Sequence, residues 1–177
     1  RERMLERFAT VLTEAVREEP GVAEQRTSAS MGGIFVRGLT GKHVAVYRDG
    51  VRYTTSAQRG GVSTFLTLNE PHHLNGMEVL RGPDSAQANS DALGGTLHLL
   101  SRPPEFTETG FDSQGEVSAT FVSSSVSPGG SALLNLSNSK MALLTSLASR
   151  RLNNVRTGGG IDSHAAVTRF LGLPSDI

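Results

Sequence analysis

Residues 77–102 read MEVLRGPDSAQANSDALGGTLHLLSR. Two short apolar runs, Met77–Leu80 and Thr96–Leu100, enclose Arg81-Gly82-Pro83, a stretch of small polar residues, and Gly94-Gly95. Runs this short predict strands, and the Gly and Pro residues between them predict tight turns. The chain must leave one strand, turn sharply and return into another, so this part is confined to a small sheet. The paired glycines fit a tight return into the second strand, where the backbone passes close to its neighbours. Glu78 and Arg81 put charges inside and beside an otherwise apolar segment.

The rest of the composition agrees with strands and turns. Of 177 residues, 37% are apolar and 20 are Gly, which disfavours a helical bundle. Seventeen basic and 17 acidic residues give a formal net charge of zero, so nothing points to nucleic acid or to an acidic membrane surface. There is no Cys, which removes disulfides, thiolate nucleophiles and zinc–thiolate sites. No apolar run approaches the ~18 residues of a spanning helix, and the opening RERMLERF has no signal-peptide apolar region. A membrane β-barrel is not excluded, because its strands need only ~10 weakly alternating residues each.

Along the chain, residues 2–19 predict an amphipathic helix. Met4, Leu5, Phe8, Val11, Leu12, Ala15 and Val16 share one face, and Pro20-Gly21 ends it. Ile34–Val36 is a short apolar run. Asp49-Gly50 between Val44–Arg48 and Val51–Arg52 is a two-residue hairpin signal. Residues 54–64 read as a Gly-rich loop, and Leu66 and Leu68 begin a short element that leads to Pro71. Pro103-Pro104 marks a boundary. Beyond it, residues 114–125 alternate, with Val117, Ala119 and Phe121 on one face and Glu116, Ser118 and Thr120 on the other. Pro128-Gly129-Gly130 is expected to turn the chain, and two more strand-length segments follow, joined by a short Asn-Ser-Lys link. The remainder is a Gly-rich loop with a possible short helix.

Catalytic constellations are missing from this pattern. Asp162-Ser163-His164 are adjacent, and adjacent side chains do not converge into a triad. His72 and His73 do not face the same way, and no His-x-x-x-His accompanies them, so no metal site is expected. Neither Gly-rich stretch matches a phosphate-binding loop.

Four motifs in fixed order carry more: Val36-Arg37-Gly38, Tyr47–Arg52, Met77–Ala86 and Ala92–Arg102. Their order and spacing resemble the plug domain of TonB-dependent outer-membrane transporters. Such plugs typically read Ile-x-x-Arg-Gly, then an Asp-Gly-Val hairpin, then Ile-Glu-Val-x-Arg-Gly-Pro, then Ala-x-Gly-Gly before an apolar strand. Pro20-Gly21-Val22, after a short helix, also resembles the family's start. Gln87-Ala88-Asn89 departs from the usual Leu-Tyr-Gly. The resemblance runs from about residue 5 to about residue 104.

The resemblance implies an α+β plug domain, a small mixed β-sheet with short helices, over residues 1–104. A linker at 105–112 and the first antiparallel strands of a transmembrane β-barrel at 113–177 would follow. A 22-stranded barrel needs more than ~220 residues, so the barrel is expected to be incomplete in this chain. The segment that couples to the energy source is expected ahead of the plug and is absent from this chain, which starts at the helix.

By the same resemblance, Arg37 and Arg81 would meet glutamates of barrel strands beyond this chain, with Glu78 supporting them. Fork-shaped charge pairing suits Arg in a partly dry setting. A local Glu78–Arg81 surface pair is the competing reading. Gly38, Asp49, Gly50, Gly82, Pro83, Gly94 and Gly95 would shape the turns. Thr55, Gln58 and Arg59 would lie in a loop facing the substrate, or in a loop that is merely polar. The implied function is uptake of a scarce solute, such as a siderophore-like metal chelate, a cofactor or a saccharide. The expected partners are TonB with its inner-membrane motor, that small solute, and the lipid bilayer through the barrel, but not nucleic acid. The expected place is the outer membrane of a Gram-negative bacterium. No cofactor and no enzymatic activity are expected. The alternative is a plug-like soluble or periplasmic binding module without transport.

Overall fold

In a computed structural model of the chain, residues 11–17, 19–53, 61–62, 64–82 and 92–155 are described. Helix α1 (Leu12–Val16) buries Leu12, Ala15 and Val16, the face that the apolar spacing marks. Glu14, in its first turn, accepts from the Val11 N–H, satisfying one of the donors a helix start leaves unpaired. Residues 2–10 of the expected helix lie outside the described residues.

Strands β1 (Val22–Ser28) and β2 (Met31–Val36) form an antiparallel hairpin. The composition of β1, VAEQRTS, carries almost no apolar signal, and only Val22 is buried. It becomes a strand by pairing with β2, whose Ile34 and Val36 reach the core. The α1 helix packs on this hairpin through Thr13. A Cβ at Gly32 would come within 2.8 Å of the Thr13 hydroxyl, and that hydroxyl donates to Glu24 on β1.

A four-stranded mixed sheet follows, in the order β4–β3–β6–β5. Its strands are β3 (Val44–Arg48), β4 (Val51–Arg52), β5 (Leu74–Arg81) and β6 (Gly95–Ser101). The β3 and β6 strands run parallel, while β5 and β4 are antiparallel edges. Asp49 and Gly50 both have positive φ, 50° and 81°, the geometry of the tight hairpin turn that Asp-Gly favours. Val44, Val46, Leu97 and Leu99 meet Leu12, Val16, Ile34 and Val36 in one core, with Met77 and Val79 packed against it. Leu66–Leu68 and Pro71–His73 are single 3-10 turns.

The last sheet is a three-stranded antiparallel meander, β7 (Phe111–Val122), β8 (Ser127–Asn138) and β9 (Ala142–Arg150). The expected turn at Pro128-Gly129-Gly130 is wrong. These residues lie within β8, paired with Phe121, Thr120 and Ala119. The chain reverses instead at residues 123–126, where the Ser125 N–H donates to Val122 and the Val126 N–H to Ser123. Gly is needed inside the strand for space: a Cβ at Gly129 would lie 2.7 Å from the Thr120 hydroxyl and 3.3 Å from Arg150 Cγ and Nε. At the other end, Asn138 Oδ1 accepts from the N–H groups of Lys140 and Met141 and closes the β8–β9 turn.

The meander has two chemically distinct faces. Register pairs Val117 with Ala132, Ala132 with Leu147, and Phe121 with Pro128 on one face. Phe111, Val117, Phe121, Leu143 and Leu147 are exposed there. The opposite face carries Gln114, Glu116, Ser118, Ser131, Asn135 and Ser137, and lies toward the first two sheets. Apolar-out, polar-in alternation over 9 to 12 residues per strand is the pattern of strands in a membrane barrel wall.

Candidate functional site

Arg37 and Arg81 come together at one end of the α1–hairpin body. Val36 and Leu39 bond each other across Arg37-Gly38, whose φ values are 53° and 81°, so Arg37 sits at the tip of a tight turn and is exposed. Its backbone N–H donates to Gly21 at 2.8 Å. Arg81, the last residue of β5, donates from Nη1 to the Pro20 carbonyl at 2.6 Å, with its Cδ against Gly21. A Cβ at Gly82 would lie 3.1 Å from Arg37 Nη1. The Pro20-Gly21 turn therefore seats both arginines, and Gly82 leaves the Arg37 guanidinium its place. Among the described residues no carboxylate pairs with either.

Glu78 is not part of this corner. Met77 and Val79 point to the core, and alternation puts Arg81 with them and Glu78 on the other face. There Glu78 pairs in register with His98, His98 with Tyr47, and Tyr47 with Arg52. The Tyr47 and His98 rings stack at 5.3 Å. The local Glu78–Arg81 pair is thus not formed.

Gly94 and Gly95 bring β6 back into the sheet. The Gly94 N–H donates to His43, and the Gly82 N–H to Gly94. Gly95 has φ 154°, and a Cβ there would fall on the Leu80 carbonyl oxygen. Pro83, the Gln87-Ala88-Asn89 departure, the loop with Thr55, Gln58 and Arg59, and Asp162–His164 lie outside the described residues.

The contacts between the first two sheets and the meander use residues that sequence reasoning did not single out. Arg150 Nη2 donates to both carboxylate oxygens of Glu70, at 2.8 and 2.9 Å. Arg102 donates to Glu116 on β7 at 2.8 Å. Asn135 of β8, buried, accepts from the Glu105 N–H and donates to the Glu105 carbonyl. A cavity of about 120 Å³ between α1, the β1–β2 turn and the β7–β8 turn is lined by Glu14, Arg26, Thr120, Ser124, Ser125, Ser127 and Arg150, among others. The boundary is polar, hydrogen-bonded and charged. The one available sequence signal was polarity on the inward face of β7; nothing in one sequence pairs Glu70 with Arg150.

Two titratable groups near this boundary are shifted. The Ser101 hydroxyl and N–H beside Asp49 hold its carboxyl below the usual value, with Arg48 adding to the effect. Burial pushes the His73 imidazole down, and neighbouring Glu70 partly opposes that. Among the described residues no group of three or more His, Asp or Glu is placed to hold a metal ion.

Residues 1–96 match the family described as TonB-dependent Receptor Plug Domain. Over 96 residues, 53% of this chain, the sequence is 36% identical to a protein of Vibrio vulnificus (strain YJ016) described as Vitamin B12 transporter BtuB, of which the match spans 15%. In fold, the chain is similar to the copper transporter OprC, with a TM-score of 0.73 at 17% identity over 86% of this chain and 23% of that one. It is also similar to the siderophore receptor PirA from Acinetobacter baumannii, with a TM-score of 0.61 at 20% identity over 88% of this chain and 24% of that one. The chain thus spans between 15% and 24% of the length of these relatives.

Proposed function

The chain belongs to the TonB-dependent receptor plug domain family, and from that premise we propose that it forms the plug and first wall strands of an outer-membrane active transporter. In this reading residues 1–104 are the plug, 105–112 the linker and 113–177 the first strands of the barrel. The observation that carries it is the meander: an apolar outward face, a polar inward face, and that inward face bonded to a compact α+β body. A body seated in a polar lumen needs contacts that can rearrange, and charged and hydrogen-bonded contacts do so more readily than a close-packed apolar interface.

Within this function, Arg37 and Arg81 are the plug's contacts to glutamates elsewhere on the barrel wall. Their seat on Pro20-Gly21 holds two uncompensated cations at one exposed corner. Glu78 serves the plug surface through the row it forms with His98 and Tyr47. Thr55, Gln58 and Arg59 meet the solute. The solute is a scarce metal chelate, cofactor or saccharide. The cofactor class is favoured by the sequence likeness to a protein described as a B12 transporter. The energy comes from TonB and its inner-membrane motor, and the barrel sits in the outer membrane of a Gram-negative cell. The work done is passage of a solute, not bond-making.

Uptake of labelled cobalamin, ferric chelates and oligosaccharides into cells that carry the intact protein tests this. One solute should accumulate, and deleting the coupling protein should abolish that accumulation. Equal uptake of every solute with and without the intact protein contradicts transport and leaves a binding module.

A further inference from the structure

The turn that carries Glu70 is joined to the third wall strand by a contact unlike the others across the boundary. Arg102–Glu116 and Glu105–Asn135 close separations of 14 and 30 residues, so they fix the linker beside the strands it leads into. Glu70–Arg150 closes a separation of 80 residues and ties the body itself to β9. Both side chains are nearly dry, Glu70 12% and Arg150 15% exposed. The wall provides the room: Gly129 is the cross-strand partner of Arg150, and a Cβ there would crowd the arginine stem at 3.3 Å. Arg150 Nε is buried without a hydrogen-bond partner among the described residues.

These features describe a contact that is specific in place and modest in net strength. Taking both charges out of water offsets much of their attraction, and an unsatisfied buried donor offsets more. Breaking only one side leaves a buried charge alone, which is costly. Such a pair keeps the body seated until something engages it, and then separates without loss of a packed core.

We propose that Glu70 and Arg150, with Gly129 as the positioning residue, form a latch that holds the plug against the third wall strand. The latch rests on the transporter reading of the chain. Its release would be one of the steps by which the plug moves.

Hydrogen exchange of the intact protein in lipid vesicles, with neither solute nor coupling protein present, tests it. The probes are the amides of Asn69 and His73, bonded within the turns that flank Glu70. Glu70→Gln and Arg150→Gln should each raise their exchange at least about tenfold, and the double variant should exchange no faster than the faster single variant. Gly129→Val, which keeps both charges, should match Arg150→Gln and add nothing to it. Arg150→Lys should fall between wild type and Arg150→Gln, and supplies the same reading if Arg150→Gln does not insert. Exchange at the wild-type rate in the single variants, or effects that simply add, overturns the latch. A protein that transports nothing still tests it, and a transporter with additive variants loses only the latch.

Discussion

Asp49 acts twice in its turn. Its positive φ closes the β3–β4 hairpin, and its Oδ1 accepts the Ser101 N–H at 2.7 Å. The Ser101 bonds hold the carboxyl below its ordinary 3.8, so folding favours the ionised form. That contribution is present above 3.8 and is lost as pH falls through the lower folded value. In Asp49→Asn, the acid-side loss of plug stability should shrink, read as the difference between the two proteins' unfolding midpoints across the acid range. His73 runs on the other side of neutrality. Burial holds its imidazole below 6.5, so folding favours the neutral form. Its contribution is complete above 6.5 and declines as pH drops from there toward the folded value. His73→Gln should narrow its stability deficit against wild type, or reverse it, as pH is lowered below 6.5, in paired denaturation curves. Of these two, the Asp49-Gly50 turn was legible in the sequence because a two-residue turn is decided by its own residues. The Ser101 partner lies 52 positions away, and no local pattern encodes it.

At the scale of elements, burial and register decided where local signals were silent or misleading. The β1 strand reads as polar coil, yet becomes a strand because β2 offers an unpaired edge beside the core. Pro128-Gly129-Gly130 reads as a turn, yet continues β8 because Gly129 must clear Thr120 and Arg150. The apolar–polar alternation of β7 was legible, since a period of two is a property of the strand alone. It carries a prediction for the wall. Val117, 84% exposed on the apolar face, should not tolerate a charge: Val117→Arg should cost about 2–4 kcal/mol of barrel stability if it lies at the bilayer midplane. Ser146→Arg, on the inward-facing parity of β9, should cost less. Folding titrations of the intact protein into lipid vesicles measure both. Gly95 belongs at this scale too, because β6 can pair with β5 there only without a side chain. Gly95→Ala should loosen the β5–β6 edge, seen as faster proteolysis of the plug in folded protein.

For the whole molecule, the order of four short motifs disclosed the plug, since each motif is a turn whose residues are dictated locally. The seam between plug and wall stayed hidden, since Glu70–Arg150 and Glu105–Asn135 depend on how separate sheets pack. Arg37 and Arg81 were both named from their motifs, and the corner they share on Pro20-Gly21 emerges only in three dimensions. If that corner meets the wall, Arg37→Ala with Arg81→Ala in the intact protein should alter solute uptake or plug retention; unchanged uptake and unchanged plug protection in the double variant contradict it. The central claim, that β7–β9 are wall strands around a plug, is testable most directly with single cysteines, because this chain contains none of its own. Spin labels placed in turn at residues 116 to 121 of the intact protein, in native outer membrane and with any other cysteine removed, report contact with lipid through collisions with dissolved oxygen. The account predicts a period of two, with oxygen contact highest at Val117, Ala119 and Phe121 and lowest at Glu116, Ser118 and Thr120. Uniform aqueous exposure along the strand would contradict it and leave a soluble binding module.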